Sequence, residues 1–345
     1  MTTEKTIAIR VQIQQAEVIR KELYNKKMLR NDLIIVKDDK YIYLPINSLP
    51  KKLNSYIILE KDFEKKKKKP KSYKEIVSIP NKLKKELPTS YDVIGNMILI
   101  KLPENLLKFQ KEIGKSLLKT NKNIRTVCLS EPVTGEFRTR NIRIIAGEKR
   151  TITTHTEFGL ILELDVKKTY FSPRLATERK RVTSLVKPGE IVVDMFAGIA
   201  PFSIMIAKYA NPKIIYALDK NKDAVRYAKR NIGKNNVLDK IEIIHADVKE
   251  INKILKTKAD RIIMNLPLSA YKFFENALQI AKDTCIIHYY DILKEEKIRK
   301  RIEELKTIAK ENKTLLTNFN IKKIKTYSPR EFYIGIDITA KQMPM

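Results

Sequence analysis

Apolar runs at residues 191–196, 214–219, 241–246, 260–265, 283–290 and 332–338 recur through the second half of the chain, and amphipathic stretches of helical length separate most of them. Strands that are apolar throughout and alternate with helices belong to a parallel, doubly wound sheet covered on both faces. The last run breaks that rhythm. Residues 332–338 follow an extended stretch at 321–326 with no helix between them, which predicts an antiparallel hairpin at the edge of the sheet. Residues 169–345 therefore read as an α/β domain with a terminal antiparallel hairpin.

The first half is less regular. Residues 6–11 read as a strand, 14–26 as a helix, and 33–37, 41–45 and 57–59 as further strands, giving a small α/β unit that spans 1–66. It ends in Lys65-Lys66-Lys67-Lys68-Lys69-Pro70. Like charges closed by a proline read as a solvated linker, and a domain boundary is expected there. From 71 to 168, helices are expected at 73–79, 81–87 and 104–119, with strands at 93–100, 126–129 and 138–146. Two more strands, 151–156 and 160–166, are joined by Phe158-Gly159. Mixed strands with few helices suggest a second small α+β domain.

Charge adds a class of partner. Seventy Lys and Arg stand against 40 Asp and Glu, a formal net charge of +30 over 345 residues. An excess of that size favours a polyanionic partner, nucleic acid ahead of an anionic membrane, although a general bias toward Lys also contributes. Cys128 and Cys285 lie far apart, and His155, His245 and His288 are scattered. That pattern argues against a disulfide framework and against a metal site. No run is long enough to span a membrane and no signal-peptide core opens the chain, so a soluble protein of the cytoplasm is expected.

The chemistry centres on Asp194-Met195-Phe196-Ala197-Gly198-Ile199-Ala200-Pro201. A strand that ends on an acid, turns at Gly198 and enters a helix opens a crevice at the carboxyl edge of a parallel sheet, where nucleotides bind. Ala200 stands where a second glycine would complete G-x-G, and alanine tolerates positive φ poorly, so an ordinary backbone is expected there. Pro201 suits the first turn of the following helix. The next strand ends on Asp219, a position from which a carboxylate can hold ribose hydroxyls. The strand at 260–264 runs into Asn265-Leu266-Pro267-Leu268. There an amide at the carboxyl edge can meet the polar edge of a base, although Asn and Pro also suit an ordinary turn. Glu178, followed by Arg179, Lys180 and Arg181, is either a general base or a member of surface ion pairs.

Phe137-Arg138 with Ala146-Gly147, Tyr170-Phe171-Ser172-Pro173-Arg174-Leu175-Ala176-Thr177-Glu178-Arg179, the 194–204 loop and Asn265-Leu266-Pro267 occur in that order. So do His288-Tyr289-Tyr290 and Tyr327-Ser328-Pro329-Arg330-Glu331. Together they resemble the archaeal and eukaryotic tRNA (guanine(37)-N1)-methyltransferases, strongly over 71–345 and less specifically over the N-terminal unit.

The resemblance implies a class I S-adenosylmethionine methyltransferase fold, Rossmann-like, preceded by two small RNA-binding domains. The partner is tRNA, held at its anticodon loop and elbow, and the enzyme is a monomer. Carried over by motif, Arg138 and Asn265 hold the guanine O6 edge and Glu178 removes the N1 proton. Tyr170, Asp194, Phe196, Gly198, Ala200 and Pro201 surround the cofactor; Asp219 holds its ribose, Asp247 lies near its adenine, and Pro267 shapes the pocket. The related wybutosine-pathway aminocarboxypropyltransferases are the near alternative, and methylation of a wyosine precursor stays open as a second activity. An adenine N-methyltransferase is disfavoured by Leu266 and Leu268, and a non-catalytic RNA-binding factor leaves the Asp194/Asp219 crevice unexplained.

Overall fold

The computed structural model describes residues 3–49, 56–66, 70–134 and 139–343. The chain divides into two compact units, Met1–Lys71 and Ser72–Met345. Residues 67–69 of the lysine run expected as a linker lie outside the described residues.

In the first unit β1 (Thr3–Gln12) is followed by α1 (Ala16–Asn25), β2 (Val36–Lys37), β3 (Tyr41–Pro45) and β4 (Ile57–Glu64). The strands form one antiparallel sheet in the order β2-β3-β1-β4. Ala16, Ile19 and Leu23 fall on one face of α1 and pack against Ile9, Val11 and Leu44, the spacing that places an apolar stripe on a helix. The strand expected at 33–37 shrinks to Val36–Lys37, with Leu33 making only an isolated bridge to Lys65.

The second unit opens with α2 (Tyr73–Ile76) and α3 (Asn81–Lys84), two single turns where longer helices were expected. Val77 is already extended (ψ 129°), and Pro80 and Pro88 keep Ile79 and Leu87 from resuming a helix. Strands β5 (Asp92–Ile94) and β6 (Met97–Ile100) lead through a 3-10 turn into α4 (Gln110–Thr120). With β7 (Thr126–Thr134) and β8 (Thr139–Gly147) they make a sheet ordered β5-β6-β7-β8. A hairpin follows, β9 (Ile152–Glu157) and β10 (Leu160–Asp165). Its turn is Phe158-Gly159, both at positive φ (45° and 75°), as a two-residue turn that keeps the strand twist requires.

From there the pattern turns regular: α5 (Ala176–Leu185), β11 (Ile191–Asp194), α6 (Pro201–Tyr209), β12 (Ile214–Asp219), α7 (Lys222–Lys234), β13 (Ile241–His245), α8 (Ile251–Ile254), β14 (Ala259–Met264), α9 (Phe274–Gln279), β15 (Ala281–Lys294), α10 (Ile298–Glu311), β16 (Thr314–Ser328) and β17 (Glu331–Gln342). The seven strands are ordered β13-β12-β11-β14-β15-β17-β16. All neighbours are parallel except the β15/β17 and β16/β17 pairs. This is the α/β, Rossmann-like sheet with the expected terminal hairpin.

Alternation along β11 divides the core. Val192 faces a cluster with α5, α6 and α7, and Val193 faces one with α8, α9 and α10. The first cluster also takes in Ile94, Met97 and Leu99, so the β5–β8 sheet shares a core with the large one. No helix among the described residues is long and apolar enough to cross a membrane.

Candidate active site

β11 is buried along its whole length and stops on Asp194, after which the chain turns. Gly198 takes φ +58° in that turn, a conformation open to glycine without a Cβ clash. Its amide donates to Asp219 Oδ2 at 2.7 Å, and the Asn221 amide donates to Asp219 Oδ1 at 2.8 Å. The acid that ends β12 therefore clamps the turn after β11. From α7, Asn231 donates to the Ile199 carbonyl at 3.3 Å and accepts from the Glu163 amide at 2.7 Å, tying the same turn to β10.

The expectation of an ordinary backbone at Ala200 is overturned: its φ is +64° and its ψ 37°, in the left-handed region. Pro201 opposes the right-handed helical conformation in the residue before it. The turn is buried between Ile199 and Phe202, so packing holds a conformation that costs an alanine about 1–2 kcal/mol.

At this carboxyl edge a cavity opens, walled by Tyr170, Met195, Phe196, Gly198, Asp219, Lys220, Ala246, Asp247, Val248, Asn265, Leu266 and Phe273. Six of the expected positions thus meet there: Tyr170, Phe196, Gly198, Asp219, Asp247 and Asn265. Asp194, Ala200, Pro201 and Pro267 do not line it. Asp194 is buried and accepts from the Ser203 hydroxyl at 2.8 Å, and Ala200 and Pro201 are buried at the start of α6. The Asn265–Leu268 turn is pinned from β15 by Asp291, whose Oδ1 accepts from the Leu268 amide at 3.1 Å.

Electrostatics separate the acids of this region. Burial pushes Asp194 up to about 7, the Asp219 charge adds to that, and the Ser203 hydroxyl opposes it. Burial also raises Asp219, against the Asn221 and Gly198 amides. Asp247 faces Lys220 at 3.0 Å and accepts from the Lys249 amide, and these partners together outweigh its burial and lower it.

Glu178 lies elsewhere. It sits in the first turn of α5, buried, and lines neither this cavity nor the neighbouring one described below. Arg181 forks onto it, Nε to Oε2 at 2.8 Å and Nη2 to Oε1 at 2.6 Å, and the Tyr290 hydroxyl donates to Oε1 at 2.8 Å. Two tyrosines connect it to the cavity. The Tyr290 and Tyr333 rings are 6.1 Å apart, and the Tyr333 hydroxyl donates to Asn265 Oδ1. The three cations after Glu178 take separate partners: Arg179 forks onto Glu157 at 2.6 Å, Lys180 lies 4.9 Å from the Phe158 ring, and Arg181 holds Glu178 itself. Arg138 lies outside the described residues.

Tyr170 also borders the second cavity, which is walled in part by Asp92, Lys101, Arg140, Arg174, Lys325 and Tyr327. Asp92 accepts from Arg174 at 2.7 Å and from Arg140 at 3.3 Å. Four basic side chains against one acid give this space a positive field, and Tyr170 lines both cavities. Arg140, Lys325, Tyr290 and Tyr333 were not singled out from sequence. The paired tyrosines of 288–290 and the tyrosine of 327–331 were visible only as motif letters. A wider depression, lined by Lys258, Lys282, Asp283 and Gln342, includes none of the expected site residues.

Comparison with known proteins gives the family. The TRM5/TYW2 methyltransferase domain matches residues 153–317, the TYW2 N-terminal domain 73–151, and the tRNA methyltransferase 5 N-terminal domain 8–54. A tRNA (guanine(37)-N(1))-methyltransferase Trm5b of Pyrococcus abyssi is 39% identical over 334 residues, 96% of this chain and 98% of the relative. A tRNA(Phe) (4-demethylwyosine(37)-C(7)) aminocarboxypropyltransferase of Methanocaldococcus jannaschii is 36% identical over 248 residues, 72% of this chain and 96% of that one. Among solved structures, aTrm5 in complex with tRNALeu superposes with a TM-score of 0.79 at 34% identity, covering 96% of this chain and 99% of that chain. The chain belongs to the TRM5/TYW2 methyltransferase family, and carries the N-terminal domain of tRNA methyltransferase 5 joined to it.

Proposed function

We infer that this chain is a tRNA (guanine(37)-N1)-methyltransferase that uses S-adenosylmethionine. The observation that carries the reading is the wall of the first cavity, which Asn265 shares with Gly198 and Asp219. Asn265 Oδ1 is engaged by Tyr333, which leaves its NH₂ as a donor suited to a purine O6.

The residues present suit the cofactor. Phe196 and Phe273 meet edge to face at 5.3 Å and, with Val248 and Leu266, offer apolar walls to a planar base. In this reading Asp219 meets the ribose hydroxyls and Asp247 the base edge, both from the cavity wall. Asp219, on the cavity wall, accepts only from the Gly198 and Asn221 amides and has no cationic hydrogen-bond partner among the described residues, which suits a cationic ligand. When bound, S-adenosylmethionine supplies the methyl group, the carbon–sulfur electron pair remaining on sulfur.

The remaining work belongs to the chain. Guanine N1 carries a proton at neutral pH, so its pair becomes available only as that N–H bond breaks. In this reading Glu178 accepts the proton on a carboxylate oxygen, and Asn265, with Arg138, donates toward the O6 on which charge accumulates. Because Glu178 lines neither cavity as it stands, the step requires a rearrangement around Tyr290 and Tyr333 when the purine enters. The basic second cavity offers the sugar–phosphate of an extruded nucleotide a seat beside Tyr170. Residues 1–66 are assigned to the tRNA elbow and 71–168 to the anticodon arm, with the enzyme acting as a monomer in the cytoplasm.

The test is methyl transfer from labelled donor to transcripts that differ only at position 37, followed by nucleoside identification. The expected product is 1-methylguanosine from the G37 transcript and none from the A37 transcript. An aminocarboxypropyl product, the activity named for the similar protein of Methanocaldococcus jannaschii, would replace this reading. No product from G37 at all would end it.

A further inference from the structure

Behind Glu178 lies a row of side chains that the reaction as described does not use. The β15/β17 register sets Tyr290 opposite Gly335 and His288 opposite Asp337. Residues two apart on a strand share a face, so Tyr290 with His288, and Gly335 with Asp337, stand together under α5. Gly335 makes the space: a Cβ there would lie 3.1 Å from Tyr290 Cε1 and 3.5 Å from Glu178 Oε1.

Into that space Arg181 reaches with both edges of its guanidinium. One edge takes Glu178, and the other takes Asp337, Nη1 to Oδ2 at 2.7 Å and Nη2 to Oδ1 at 3.0 Å. Asp337 Oδ1 also meets His288 Nδ1 at 2.6 Å, and His288 Nε2 meets Arg261 Nη1 at 2.8 Å. A guanidinium can only donate, so Nε2 must accept and the proton of His288 sits on Nδ1, donated to Asp337. Arg261 has its own counter-ion, forking onto Glu190 at 2.7 and 3.0 Å.

The charges facing Glu178 can therefore be named element by element. On α5 there is Arg181, while Arg179 turns away to Glu157. From β15 come the Tyr290 hydroxyl and the neutral His288, and from β17 comes Asp337. Burial lowers His288, in keeping with a neutral ring, although Asp337 opposes that shift. Burial pushes the Asp337 carboxyl up, but hydrogen bonds from His288 and Arg181 outweigh it and hold it ionised.

We propose that Asp337, oriented by neutral His288, is a positioning residue that divides the charge of Arg181 between two carboxylates, so that Glu178 is held in place yet remains a proton acceptor. This rests on the reading of Glu178 as the base. A carboxylate that owned the whole of a forked arginine would give up proton affinity, as an opposite charge at contact distance always demands. One that shares the arginine keeps more of it. Asp337 touches neither cavity and acts only through Arg181.

The experiment is the pH dependence of single-turnover methyl transfer to G37 tRNA by the full-length enzyme and its variants. For Asp337→Asn the acid limb is expected to move about one unit toward lower pH, the tenfold change in protonation ratio that such a shift means. The plateau rate falls several-fold and cofactor affinity by calorimetry is unchanged. An unmoved limb, in a variant that melts cooperatively and binds the cofactor, overturns the proposal. Should Asp337→Asn fail to fold, His288→Asn decides: an acid limb left in place supports a neutral histidine that only orients. A limb moved to higher pH shows a lost cation and overturns the proposal. Glu178→Gln is run alongside. Undiminished turnover there strikes the base assignment itself, whereas lost turnover with an unmoved Asp337→Asn limb strikes only the sharing of charge.

Discussion

Two pairs of carboxylates, each made of one buried acid (Asp194, Glu178) and one half-buried acid (Asp219, Asp337), are held in opposite ways. At the carboxyl edge, Asp194 and Asp219 receive a hydroxyl and two backbone amides, all neutral donors, and burial drives both upward. On the antiparallel flank, Glu178 and Asp337 share one arginine and are joined by Tyr290 and His288. The flank balances its own charge. The edge leaves Asp219 on a cavity wall with neutral donors only, as a site for a cationic ligand would. A buried acid next to empty space thus says more about a missing ligand than a buried acid inside an ion pair, whose cost is met by its partners.

The largest expected effect tests the flank. Glu178→Gln keeps the shape and loses the acceptor, and transfer should fall by about 10²–10⁴-fold, the usual contribution of a general base. Cofactor binding, measured by calorimetry, should not change. A variant with wild-type turnover would leave the Arg181 network as scaffolding alone.

The next tests the edge through pH. Asp194 titrates near 7 in the folded chain, against about 4 for an unperturbed aspartate. Between those values the folded state binds the extra proton, so stability from this group is greatest at acid pH and declines as pH rises toward 7. Asp194→Asn should remove that decline and gain on the wild type, by roughly a few kcal/mol at most, in melts above neutrality. Parallel melting curves from pH 5 to 8 for the two proteins would show that the edge carries no unbalanced charge.

How far each region could be read in the sequence follows from what kind of signal it leaves. The parallel sheet was legible because fully buried strands such as Ile191–Asp194 are continuous apolar runs, and the β16/β17 hairpin because two extended stretches had no helix between them. Asp219 and Asn265 were legible because strand ends fix which residues face the cavity. The flank was not. His288 and Asp337 are 49 residues apart, and only the antiparallel register brings them together. Glu178 read as a carboxylate among exposed cations, whereas Gly335 lets it sink beneath Tyr290. The helices expected at 73–79 and 81–87 were placed correctly at their starts but drawn too long, since they end at Ile76 and Lys84, before the residues that Pro80 and Pro88 restrict.

A smaller effect returns to the edge. Asp219 holds the Gly198 and Asn221 amides, so Asp219→Ala should leave two donors without their acceptor and weaken cofactor affinity about tenfold, close to 1.4 kcal/mol. Calorimetry with the cofactor alone, without tRNA, measures it. An unchanged Kd would move the ribose contact away from Asp219 and with it the claim that this acid serves the ligand.

The smallest concerns the turn that carries the edge. Ala200 sits at φ +64° and is fully buried, so its methyl group packs while its backbone is strained. Glycine would relieve about 1–2 kcal/mol of strain and give back about 0.4–1 kcal/mol through the freer unfolded chain, besides losing one buried methyl. Ala200→Gly should therefore change the melting temperature by no more than a few degrees. If the turn is held rigid by Asp219 and Asn231 from outside, cofactor affinity should not change either. If affinity falls with stability unchanged, the alanine methyl is what stiffens the turn. The edge would then owe its order to packing, as the flank owes its order to charge.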